Sequence, residues 1–204
     1  MNSIKNIFDR VDISSLWNYH LSTFYHYEKQ QFYNKKEIPF SDKLLFGLMP
    51  ILLTIIFCWC GLFFNNNYVN ISLTCLSIFV GLLFGLLTLI YGLVQENDKI
   101  DQSTVKVEDK RKTEAKINLT KHLFINIAFS IVLSVASIIF ILLTQFHPPK
   151  LISILSILSY FEKIKTIYLY LTNGISFFLL IEFMLILMMI TRRFTVLFFN
   201  QFGT

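Results

Sequence analysis

Charged positions fall in blocks along this chain, and the stretches between them lack any polar face. Leu44–Val94 is 51 consecutive residues without a formal charge, His122–Pro149 is equally empty, and Tyr168–Thr191 holds only Glu182. A water-facing helix keeps a polar stripe, and these segments have none. About 20 apolar residues cross the hydrocarbon of a bilayer. The pattern therefore predicts four transmembrane helices. The first is Leu44–Phe64, and the second, Tyr68–Val94, follows a polar Asn65-Asn66-Asn67 turn signal. The third is His122–Gln145, ended by His147-Pro148-Pro149, and the fourth is Tyr168–Thr191, ended by Arg192-Arg193. The second run exceeds what one crossing needs, which predicts tilt or turns outside the bilayer. The expected class is all-α, an integral membrane protein.

Composition sharpens this picture. Only 15% of the 204 residues are charged and 54% are hydrophobic, which excludes a soluble enzyme core, a disordered tail protein and a disulfide-stapled secreted domain. No cleavable signal peptide is expected, because the first apolar run starts only at Leu44. With four crossings, residues 1–43, 95–121 and 192–204 share one side and hold fifteen Lys and Arg, against three on the other side. The positive-inside rule then puts both termini in the cytoplasm.

Outside the spans, three segments have character. The cytoplasmic arm, 1–43, is rich in aromatics, among them Trp17 and Tyr25, and holds six basic and five acidic residues. It reads either as an interfacial helix feeding the first span or as a docking surface for a protein partner. Its near-neutral charge argues against a polybasic lipid anchor. Segment 95–121 carries seven basic and six acidic residues, lacks Gly and Pro, and predicts a helical extension of the third span from Ser103 or Thr104. Lys110-Arg111-Lys112 is too short and too closely flanked by acids for direct nucleic-acid binding. A solvated face or a cytosolic protein partner fits it better. On the outer side, Leu151–Lys165 places Ser153, Ser156, Ser159 and Glu162 at every third position among apolar residues. That predicts an outer interfacial helix, either a sensor of leaflet packing or a plain connector.

Inside the spans, Glu182 is the one ionisable residue far from a boundary, and a carboxyl near the midplane costs several kcal/mol unless it is paired, hydrated or protonated. It is a candidate for an ion path or a coupling contact. Equally, it reads as a protonated acid bonded to Ser130, to Ser134 or to a second copy of itself. Asn126 and Asn173 are candidates for interhelical hydrogen bonds of about 1 kcal/mol each. Gly81 and Gly85 form a GxxxG that Gly92 extends, a helix-packing face within one chain or between chains. Pro50 predicts a kink in the first span. Cys58, Cys60 and Cys75 lie in apolar surroundings and read as packing thiols, with no metal site or cofactor expected.

Reaction signatures such as HExxH, GxSxG and phosphate-binding loops do not occur, and the topology puts the four histidines on both sides of the membrane, so no enzyme is expected. The four spans, the aromatic arm and the charged loop between the second and third spans resemble the small membrane proteins of bacterial anti-phage defence systems, closest to the KwaA family of the Kiwa system. That resemblance is architectural, carries over no residue roles, and implies a bacterial inner (plasma) membrane as the location. It implies a homo-oligomeric membrane sensor of phage attachment that works with a cytosolic, DNA-binding, KwaB-like partner. The alternatives are a pore-forming effector that depolarises the cell, with Glu182 lining its path, and, third, a small transporter subunit.

Overall fold

The computed structural model describes residues 13–24, 40–98, 107–146 and 161–202. Among them there is helix and no strand. Helix α1 is Ile13–Ser22. Helix α2 runs over Phe40–Trp59, interrupted by a π-helical stretch at Leu44–Leu48. Helices α3 (Asn66–Asp98), α4 (Val107–Thr144) and α5 (Phe161–Phe202) follow. Four helices are long and apolar enough to cross a membrane, at Phe40–Trp59, Asn66–Gly92, Ile117–Thr144 and Lys163–Leu197. The chain is therefore a multi-pass membrane protein by length and composition.

Helix boundaries follow local chemistry. Pro50 lacks an N–H and its ring crowds the carbonyl one turn back, and the widened π stretch lies directly before it. The end of α2 is a Schellman turn: Gly61 takes φ 69°, its N–H donates to Cys58, and the Leu62 N–H donates to Phe57. Asn65 opens α3, its side-chain oxygen accepting the Tyr68 N–H at 2.9 Å. No Gly or Pro lies between Arg192 and Phe202, and α5 continues through the Arg pair instead of leaving a loose tail. At about 1.5 Å per residue, the 38 residues of α4 and the 42 of α5 measure roughly 57 and 63 Å, about twice the hydrocarbon thickness. Both are longer than one crossing needs.

Phe161–Lys165, expected in an outer interfacial helix, begin α5; the rest of that segment lies outside the described residues. Of the four spans α4 is the most buried, with half of its window covered by protein, against 6% for α2.

The chain divides into two compact units. The first comprises the described residues of Met1–Lys43, Leu83–Ser130 and Ile186–Thr204; the second those of Leu44–Leu82 and Ile131–Leu185. The close-packing glycine of the second unit is Gly174, where an added Cβ would meet Cys58 Sγ at 3.7 Å and Thr54 Cγ2 at 3.9 Å. Around Gly81, Gly85 and Gly92 nothing lies within 4 Å of such a Cβ, so those three glycines mark no close approach within the chain.

Candidate functional site

The first unit is organised around a buried polar cluster that fastens α1 to α4 and α5. Leu16, His20, Thr23 and Phe24 recur at helical spacing, which gives α1 and its end one inward face. His20 and Thr23 are 1% and 0% exposed, yet both are polar, so each must find a partner. They converge on Asn126 of α4, itself fully buried: its Oδ1 lies 2.9 Å from His20 Nδ1 and 2.8 Å from Thr23 Oγ1. An amide oxygen only accepts, so His20 carries its proton on Nδ1. The Thr23 hydroxyl also reaches the His20 carbonyl at 2.7 Å, sharing one proton between two acceptors.

Arg193 of α5 completes the cluster. Its Nη2 donates to the main-chain oxygen of Thr23, while Nη1 is buried without a partner. The His20 ring stacks on Phe129 with centroids 4.1 Å apart and planes 13° from parallel, and Phe24 meets its edge at 5.1 Å. Trp17, half exposed, packs against the same Phe129 at 5.4 Å.

Burial holds His20 down at about 4, with the Arg193 charge adding to the effect and the Asn126 hydrogen bond opposing it. Undocked, the imidazole would take a proton near its ordinary 6.5. The undocked state therefore binds more protons between these values, and acid favours release. The docking equilibrium of α1 is expected to stay constant above pH 6.5 and to weaken up to about tenfold per pH unit from there down to about 4. Trp17 fluorescence in a Trp59→Phe background measures this, and a profile that stays flat over that range would contradict it.

A second polar cluster ties the α2–α3 turn of the second unit. Phe64 is buried, and both of its main-chain polar groups are taken by side chains: its N–H donates to Asn173 Oδ1 at 2.8 Å, and its carbonyl accepts from Gln145 Nε2 at 3.0 Å. Asn173 Nδ2 donates in turn to the Leu169 carbonyl at 2.8 Å. The Tyr168 hydroxyl reaches the Leu143 carbonyl at 2.9 Å, so α4 and α5 are also joined directly at this end. Phe64 and Phe57 pack on Phe177, and Phe63 on Tyr170.

Glu182, also in the second unit, is 6% exposed, and its Oε2 has no hydrogen-bond partner. The adjacent Phe183 meets Phe79 edge to face at 6.0 Å. Ser134 donates to its own helix at Ile131, and the Ser130 hydroxyl has no partner.

Of the residues picked out by sequence, Asn126 and Asn173 each sit at the centre of a cluster, and the buried Oε2 of Glu182 has no hydrogen-bond partner. Tyr25 lies outside the described residues. Lys110, Arg111 and Lys112 belong to α4, their side chains outside the description. Sequence reasoning missed the roles of His20, Thr23, Gln145 and Arg193. Polar residues spaced on the apolar face of α1 were the available signal for the first two, whereas Arg193 was absorbed into the charge bias. Among the described residues no group of His, Cys, Asp or Glu could hold a metal. No protein family, curated protein or solved structure matches this chain.

Proposed function

We propose that this protein is a non-enzymatic membrane subunit that couples a disturbance of the bilayer to a cytosolic partner. The observation that carries the reading is the fastening of α1 to α4 and α5 through His20, Thr23, Asn126 and Arg193. An arm held by two membrane helices shifts when either of them shifts. The length of α4, continuous from Val107 into its span, supports the same coupling. The Lys and Arg bias supports a cytoplasmic side for α1 and the charged segment, and the resemblance to bacterial proteins supports an inner membrane. The resemblance to anti-phage defence proteins makes phage attachment the stimulus, a DNA-binding protein the partner and a homo-oligomer the working form. The exposed Gly81–Gly85 face is open to such self-association.

The test is purification of the tagged chain in mild detergent from cells carrying its native operon, with the mass of the complex determined. A stoichiometric cytosolic protein is expected, lost when residues 104–116 are deleted. A bare homo-oligomer would favour the second reading, a depolarising pore, to which the buried, unpartnered Glu182 lends its weight. Ion flux through vesicles holding the chain and its Glu182→Gln variant then decides.

A further inference from the structure

The donor and acceptor balance around Glu182 carries an inference that does not depend on that reading. A carboxylate only accepts hydrogen bonds, so an ionised Glu182 needs donors or a cation, whereas a neutral carboxyl left in an apolar slot costs far less than the charge would. Oε2 has no hydrogen-bond partner among the described residues, and the buried unpartnered donors Ser130 Oγ and Asn126 Nδ2 belong to the first unit. The buried or part-buried hydroxyls of Ser134, Ser137, Thr144, Thr172 and Ser176 all donate to carbonyls of their own helices. Thr54 keeps a buried, unpartnered hydroxyl, but it lies against Gly174, eight residues and about 12 Å along α5 from Glu182. Along the same helix the cations are Arg192 and Arg193 of the first unit, 10 and 11 residues or about 15 Å from Glu182, with Arg193 turned to the Thr23 carbonyl, and Lys163 and Lys165, at least 17 residues and roughly 25 Å away. The remaining titratable groups among the second unit's described side chains are Tyr68, Tyr168 and Tyr170 and the thiols of Cys58, Cys60 and Cys75.

We propose that Glu182 is a proton-binding site in the fourth span: in the arrangement described here its carboxyl carries a proton at neutral pH. Releasing that proton requires a rearrangement that brings a donor, a cation or water to Oε2. The site thus ties the conformation of α5 to protonation, because a charge in this slot and this packing exclude one another.

The proton is read directly by infrared spectroscopy of the full chain in lipid vesicles at pH 7. A protonated carboxyl shows as a carbonyl-stretch band that shifts in heavy water. The expected result is a band of one carboxyl per chain, absent from Glu182→Gln, whose neutral amide matches the acid in shape and leaves the helix content by circular dichroism unchanged. A wild-type chain without the band overturns the proposal, and so does a band that persists in the variant. If Glu182→Gln loses helix content, Glu182 labelled with carbon-13 in the wild-type chain gives the same reading, and a carboxylate signal there also overturns it.

Discussion

Replacing Asn126 by Ala is expected to free α1, raising hydrogen exchange of its amides about 10- to 100-fold while the amides of the spans exchange as before. Asn126 Oδ1 is the acceptor on which His20 Nδ1 and Thr23 Oγ1 both converge. The truncation leaves the His20 N–H without an acceptor in a place closed to water, at a cost of about 1–3 kcal/mol, and each 1.4 kcal/mol is tenfold in the docking equilibrium. Thr23 retains the His20 carbonyl, so the loss centres on the imidazole. Exchange mass spectrometry on the chain in a bilayer disc reads the result. Unchanged exchange would mean that the stack of His20 on Phe129 and the Arg193 bond hold α1 unaided.

At the other cluster, Asn173→Ala is expected to lower the midpoint of thermal unfolding in detergent by about 3–10 °C. It orphans the buried Phe64 N–H, a loss of about 1–3 kcal/mol. At a pH that keeps its carboxyl neutral, Asn173→Asp retains both an acceptor for that N–H and a donor to the Leu169 carbonyl, so it should cost less. If the two variants unfold together, the capture of Phe64 is not what stabilises this end.

The membrane class was legible in the sequence because hydrocarbon imposes a pattern that no local detail can hide: dozens of residues without a charge have one environment available to them. Asn126 and Asn173 stood out for the same reason, as amides that lipid cannot satisfy. Their partners did not. Asn173 is answered by a main-chain N–H, and the peptide group of Phe64 leaves no trace in a string of side chains. Asn126 is answered by His20 and Thr23, which sit in an arm whose aromatic content describes a membrane interface and a docking face equally well. The extent of α5 was also hidden. Arg192-Arg193 reads as a stop for the membrane, but guanidinium groups do not stop a helix, and the chain continues to Phe202.

The contacts of α1 join distant parts of the chain: 106 residues separate His20 from Asn126, and 170 separate Thr23 from Arg193. A ribosome adds about 5–20 residues per second. The arm is therefore made first, yet Arg193 reaches it only about 10–30 s later, once the last membrane helix has been synthesised. Asn126 comes earlier, with α4, and can take His20 and Thr23 first; the Thr23 carbonyl has only water or lipid headgroups until the last helix is made. A settled arm is consequently a mark of finished assembly, since nothing short of the last helix can supply the guanidinium that Thr23 receives.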